Sequence, residues 1–578
     1  MKNRLKRLFF DRSGLWLAVS SVLFVIAWRG WVVAHKSAHI QEMADELGSI
    51  GEFQHLDNRL YPNHSNTYLV FGQYTENGVG IFFCDTTDGK KKLVCEQPEK
   101  GWRGWLNFGM LGWSPDDRFF ACAFPPNDPR QPQQEIIIYN GDTGEAVITL
   151  GAGNNKLTDF AWLTSDSFVY AFSDGNNHYG TVIKQKPDGN WVQASNFRKL
   201  GNEEMTGLVA TSSHSIAWQQ GTSLWTLDFV DGTPQKIWES STNQLHSFTY
   251  SEKDGLFYMT CGDETHWFQI CFRPPTGLNP QGIVLDYPEL TDDKANDATL
   301  RNESGLIIFY VKAAHNSEWK RFPLQGQIQN YQVNGDCLYI TGDLTNQPPG
   351  IWKYDFNSGE CAYIISALDY PLKYAQLVYA LSGTSTNSVG HLAHYQIWQP
   401  THFEAGKKYP LVIGQTPYLG WVPYPQIAAN GGCYFLLVER PSWSAGLNDW
   451  SEDVMTAYDL MAKNPNVDTN HVYLFGASAE TALLSQLLAE KTDLWRGAIL
   501  FNPTLIPDPS AVRICKLLIL DGTDDSDAVK EWIDYQNKAA QEGITVNLAL
   551  VNGAQHIFKS TASEREKTRQ LARFLFGD

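Results

Sequence analysis

Between about residues 55 and 395 the chain reads as short alternating strands, broken by turn residues about every 8–12 positions, with almost no helical periodicity. That spacing restricts it to a sandwich, a barrel or a propeller. A longer repeat narrows the choice. Gly112-Trp113-Ser114-Pro115-Asp116-Asp117 precedes the strand Glu135–Tyr139 and the turn Asn140-Gly141-Asp142-Thr143-Gly144. Phe160-Ala161-Trp162 and Ser165-Asp166-Ser167-Phe168 repeat the pattern, with the two tryptophans 49 residues apart. A period of about 40–50 residues is that of propeller blades, which bury sheet against sheet and leave only short edges. Weaker copies begin near Ile216, Phe248, Leu306 and Tyr331. About seven blades are expected over 55–395, with a stacked β-sandwich array as the alternative.

Composition excludes several classes. In 578 residues, aromatics make up 13% and hydrophobics 43%, so neither disorder nor a collagen-like repeat is tenable. The formal net charge of −18 gives no general electrostatic footprint for nucleic acid. No zinc-type cysteine cluster occurs, and no metal or cofactor is indicated.

The amino terminus points to export. Lys2, Arg4, Lys6, Arg7 and Arg12 precede an apolar run, Gly14–Trp28, that resumes after Arg29 as Gly30–Ala34. A basic flank before such a run stays cytoplasmic, and the chain beyond the run crosses the membrane. Residues 1–35 are expected to form a signal-anchor helix, with Arg29 snorkelling to the interface and 36–54 as a helical linker. A cleaved signal peptide, cut near Val32-Val33-Ala34, is the alternative. The bulk of the chain is then extracytoplasmic. Three cysteine pairs sit where hairpin partners would lie: Cys84/Cys95, Cys261/Cys271 and Cys337/Cys361. Each is a candidate disulfide or a pair of small buried hydrophobes.

From about 396 to 578 strands alternate with helices, the mark of a mostly parallel sheet. Strands are expected at Tyr409–Ile413, Cys433–Val438, His471–Phe475, Arg496–Phe501, Lys516–Leu520 and Thr545–Val551. Helices are expected at Ser451–Lys463, up to Leu488, at Asp527–Glu542 and near Ser560–Phe576. His471–Phe475 runs into Gly476-Ala477-Ser478-Ala479-Glu480 and then a helix, the strand–turn–helix context of a nucleophile elbow. The chain order nucleophile, acid, base is also met. Asp521-Gly522-Thr523-Asp524-Asp525 comes after one strand, and His556, the single histidine after Ser478, comes after another. All three fall at carboxyl ends of strands, where such sheets bind ligands.

These residues, with the entry Ile397-Trp398-Gln399-Pro400 to Lys407-Lys408-Tyr409-Pro410-Leu411-Val412, resemble the prolyl oligopeptidase family of serine peptidases, which includes membrane-anchored dipeptidyl peptidases. The resemblance spans about 520 residues and implies a multidomain chain: an N-terminal membrane anchor, an all-β propeller and a C-terminal α/β-hydrolase fold. It puts the triad acid on Asp525, beside nucleophile Ser478 and base His556. Ala479 would give one oxyanion donor through its N–H, and Tyr418, in Gly414-Gln415-Thr416-Pro417-Tyr418-Leu419-Gly420, would substitute for the family's oxyanion tyrosine. Short peptides would enter a chamber between propeller and hydrolase domains.

The departures are specific. Glu480-Thr481 stands where the family has glycines, and Asp521 where it has histidine. Glu480 must point away from the elbow or distort it. The double-glutamate motif that captures a peptide amino group is not evident, so dipeptidyl specificity is not supported. A carboxylesterase on the same triad, and a weak or inactive site serving a binding protein, remain the alternatives. The substrate is a short peptide or an ester, and oligomerisation is left open.

Overall fold

The computed structural model describes residues 37–49, 60–98, 109–124, 135–151, 156–203, 205–230, 232–239, 244–251, 255–262, 267–272, 297–303, 306–313, 318–322, 326–344, 350–366, 372–388, 390–416, 423–439, 447–491, 493–514, 516–524, 526–554 and 560–577. They fall into two compact units, Phe53–Thr345 with Pro349–Ser366, and Met1–Glu52 with Asn346–Pro348 and Ala367–Asp578.

The first unit contains, among the described residues, seven separate antiparallel sheets of three to five strands. Each sheet is one continuous stretch of chain, beginning at Tyr61, Gly109, Lys156, Met205, Gln244, Asp297 and Gly326. The recurring tryptophans explain the repeat. Trp113 Nε1 donates to the Tyr61 carbonyl at 2.8 Å, and Trp162 Nε1 donates to the Gly112 carbonyl at 3.1 Å. Each indole therefore ties its own blade to the preceding one while its ring fills the apolar layer between them. In the turn after Trp113, Ser114 Oγ accepts from the Phe119 N–H at 3.0 Å and donates to Asp116 at 2.9 Å. The ring closes at loop 63–67. Asn334 Nδ2 donates to the Asn63 carbonyl and to Asn66 Oδ1, both at 2.8 Å, and Lys353 Nζ donates to the Asn66 carbonyl at 3.1 Å. The seventh blade thus meets the first through side chains rather than a shared strand. The described sheets form a propeller of seven blades.

The second unit is built on one eight-stranded sheet. Its strands are β1 (Leu381–Thr386), β2 (Leu392–Trp398), β3 (Tyr409–Thr416), β4 (Tyr434–Glu439), β5 (Val467–Ala477), β6 (Gly497–Phe501), β7 (Lys516–Gly522) and β8 (Thr545–Val551). The spatial order is β1-β2-β4-β3-β5-β6-β7-β8, antiparallel as far as β4 and parallel beyond it. Among the described residues six helices accompany it: α1 (37–49), α2 (Pro423–Asn430), α3 (Leu447–Ala462), α4 (Thr481–Glu490), α5 (Ser526–Gln541) and α6 (Thr561–Phe576). The expected apolar stripe Val454, Ala457, Tyr458 and Met461 of α3 is buried, and Trp450 extends it one turn earlier, so the helix begins before Ser451.

Two boundaries differ from expectation. The hairpin β1–β2 begins before residue 396 and runs across it, and β2 pairs with β4 from Tyr395↔Val438 to Trp398↔Phe435, so the whole hairpin belongs to this sheet. The linker 36–54 contains α1, which packs into the same unit through buried Met43, Ala44 and Leu47. Among the described residues no helix is long and apolar enough to cross a membrane; the expected anchor, 1–35, lies outside them.

The expected disulfides are corrected by strand register. Cys84 faces Lys91 and Cys95 faces Ile81, so the two cysteines are not partners. Cys337 faces Asp355 and Cys361 faces Tyr354 from the other side of the same strand, which separates them by two strand spacings, roughly 9–10 Å. These four thiols are free. In the third pair, Cys261 faces Phe268 and Cys271 faces Tyr258, again out of register. Cys84 and Cys337 are buried and Cys95 and Cys361 half-buried, so for these two pairs the reading as small packed hydrophobes fits. Burial pushes the Cys84, Cys361 and Cys433 thiols up to about 12. Because only the thiolate is nucleophilic, native protein at pH 8 is expected to leave these three unmodified by iodoacetamide, whereas urea-unfolded protein reacts at all of them. Peptide mass mapping reads the result.

Candidate active site

The site is assembled from the β5–α4 turn upward. Ala477 is extended, with φ −129° and ψ 145°, and Ser478 then turns to φ +48°. A positive φ is costly for a residue with a Cβ and persists only where its surroundings enforce it. The chain continues through one 3-10 turn, Ser478–Glu480, into α4. Ser478 is half-buried and the next residue, Ala479, exposed, so serine and the adjoining N–H both stand at the carboxyl edge of the sheet. A helix N-terminus directly behind favours negative charge there.

Glu480 does not distort this turn. It takes ordinary right-handed dihedrals, φ −65° and ψ −21°, and is buried. Gly476, on the strand before it, leaves room for Leu484 of α4: a Cβ on Gly476 would lie 2.9 Å from Leu484 Cδ1 but at an ordinary contact distance, 3.5 Å, from Glu480 Cβ. Gly476→Ala should displace the buried Leu484 side chain and cost about 1–3 kcal/mol in urea unfolding, as overpacked cores do.

The loops carrying the other two candidates are neighbours. β7 and β8 pair in register as far as Gly522↔Val551. Beyond that, the Thr523 N–H donates to the Val551 carbonyl at 3.0 Å and the Asp524 N–H to the Ala554 carbonyl at 3.0 Å. Thr523 Oγ1 accepts from the Gly553 N–H at 2.7 Å. The residue before Asp525 is therefore bonded to the loop that leads to His556. Asp525, His556 and Tyr418 themselves lie outside the described residues.

Asp521, in the place of the expected histidine, is a structural anchor. Its buried carboxylate accepts from Trp532 Nε1 at 2.7 Å and from the Gly522 N–H at 2.8 Å, fixing α5 against the end of β7. Sequence reasoning missed a further residue, Thr481. It is fully buried, and its hydroxyl donates to the Ser478 carbonyl at 2.6 Å. Among the described residues no cluster of side chains suited to a metal occurs.

The propeller and the parallel sheet with its sharp strand-to-helix turn at Ser478 define a fold class, a propeller combined with an α/β-hydrolase-type fold. Among solved structures the chain is similar to a puromycin hydrolase, with TM-score 0.63 and 13% identity over 90% of this chain and 95% of that one. It is also similar to a Mycobacterium tuberculosis puromycin-hydrolyzing peptidase, with TM-score 0.62 and 13% identity over 91% and 94%. A structure from an analysis of two prolyl endopeptidases matches with TM-score 0.59 and 13% identity over 95% and 94%. At such identity it is the fold that is shared. The resemblance to the prolyl oligopeptidase family is borne out at that level. No family model matches the sequence, and no curated protein matches it.

Proposed function

We propose that this chain is a serine peptidase of the prolyl oligopeptidase type, cleaving short peptides through an acyl-enzyme on Ser478. The observation that carries the reading is the left-handed Ser478 at the β5–α4 turn, a conformation an ordinary helix-capping serine has no need of. The hydrogen-bonded loops before Asp525 and His556 support their roles as acid and base. In this mechanism His556 takes the Ser478 proton as the hydroxyl attacks the scissile carbonyl. It then returns that proton to the leaving amine, and water repeats the sequence to release the acyl group. Asp525 holds the imidazole tautomer and stabilises the imidazolium. The Ala479 N–H donates to the developing oxyanion, with Tyr418 as the second donor. Peptides are preferred over esters as substrates because the structural neighbours are named as peptidases and a puromycin hydrolase. The basic flank and apolar run of residues 1–35 support a membrane-anchored enzyme with its bulk outside the cytoplasm.

The test is labelling by a fluorophosphonate probe of protein lacking residues 1–36. Adduct on Ser478, absent from Ser478→Ala, is expected. No adduct would leave a binding protein. Labelling with ester but no peptide turnover would leave an esterase.

A further inference from the structure

We infer that Thr481 is a positioning residue, whose hydroxyl locks the strained nucleophile turn to the loop after β6. This rests on the reading of Ser478 as nucleophile and adds a part to it. A threonine hydroxyl has one proton to donate and two lone pairs to accept with. Here all three are used. Thr481 Oγ1 donates to the Ser478 carbonyl at 2.6 Å and accepts from the Thr504 N–H at 3.1 Å and the Leu505 N–H at 3.3 Å. Thr504 Oγ1 reaches the same Ser478 carbonyl at 3.2 Å, so the two threonines grip one peptide group from two directions. The gripped group is the one whose orientation a φ of +48° at Ser478 sets. Ser485 Oγ, whose one proton lies between the Thr481 carbonyl at 2.8 Å and the Leu505 carbonyl at 3.2 Å, braces the same loop from one turn further along α4.

The physical consequence is directional. Without the hydroxyl, the Ser478 carbonyl keeps its other donors, but the 504–505 amides lose their acceptor and the strained turn is free to relax. A nucleophile displaced by about 1 Å can lose about a hundredfold in rate with no change in what binds. Thr481 touches no reacting atom; it acts through Ser478.

The test compares wild type, Thr481→Val and Thr481→Ser, each with residues 37–578. Valine keeps the shape and removes the hydroxyl, and serine restores it. Fluorophosphonate inactivation should show kinact lowered about ten- to a hundredfold in Thr481→Val, with KI unchanged, and most of that loss recovered in Thr481→Ser. Hydrogen exchange at the Thr504 and Leu505 amides, read by mass spectrometry independently of activity, should accelerate in the valine variant alone. A labelled wild type whose kinact is unchanged by valine overturns the positioning role and leaves the hydrolase reading intact. Equal kinact loss in valine and serine variants also overturns it, because the hydroxyl is then not the cause. A wild type that takes no label overturns the serine reading, and the positioning role with it, whatever the exchange result.

Discussion

Ser478→Ala is expected to lower peptide turnover by on the order of a million-fold, leaving only the residual rate that an oxyanion site and binding provide. Six decades correspond to about 8 kcal/mol of transition-state stabilisation, far more than one lost hydrogen bond could account for. In the proposed mechanism the loss is that large because the hydroxyl is the group that would form the covalent intermediate. His556→Ala should cost nearly as much, and Asp525→Ala less, on the order of ten-thousand-fold, because the imidazole still acts when its tautomer is merely unfixed. The decisive comparison is the double variant. If Ser478 and His556 act as one unit, Ser478→Ala with His556→Ala is no slower than Ser478→Ala alone. Multiplying losses would mean that the two residues serve separate steps and that the trio is misassigned. Steady-state rates on a peptide library, with active sites counted by probe labelling, measure all four proteins.

How much of the fold and site was legible in the sequence depended on whether the signal was local. The parallel strands were, because buried runs such as Leu517-Leu518-Ile519-Leu520 carry their own boundaries. The elbow was legible from Gly476-Ala477-Ser478, since the turn requires a small residue on the strand side. The blades were legible through Trp113 and Trp162, which repeat because each performs the same bond in successive sheets. Features that depended on register were not. Cysteine spacing across a turn suggested three bridges, but one residue of bulge or slip changes every facing pair, and the ladder between Gly78–Asp85 and Lys91–Pro98 carries such a shift. Pairing between distant segments was equally hidden. Nothing in Leu392–Trp398 says that it adds to a sheet most of whose strands come later. Nor does a threonine at 481 reveal that the amides of residues 504–505 use its hydroxyl.

Removing α1 is expected to have the largest effect on stability. Deleting residues 1–36 should leave the second unit folded, whereas deleting residues 1–49 should bring it close to unfolding at 25 °C. The helix contributes both apolar and polar contacts. Met43 and Leu47 are buried at 2% and 0% exposure, worth about 1.5–3 kcal/mol each. The Glu46 carboxylate accepts the backbone N–H groups of Lys373 at 2.8 Å, Tyr374 at 2.7 Å and Ala375 at 2.9 Å, so its loss orphans three donors at once. Arg569 grips Asp45 with two nitrogens, and Thr568 Oγ1 donates to the Ala44 carbonyl at 2.9 Å. Gly48 permits this approach, since a Cβ there would fall 2.7 Å from the Arg565 backbone. Together these outweigh about half of the 5–15 kcal/mol by which a domain is ordinarily stable. Glu46→Ala isolates the polar part and should cost about 3 kcal/mol, because a carboxylate bonded to three amides is replaced by nothing. Urea unfolding followed by tryptophan fluorescence, with limited proteolysis to locate the change, measures both variants. If the 50–578 protein unfolds at the same urea concentration as the 37–578 protein, α1 is an ornament on the sheet rather than part of its core.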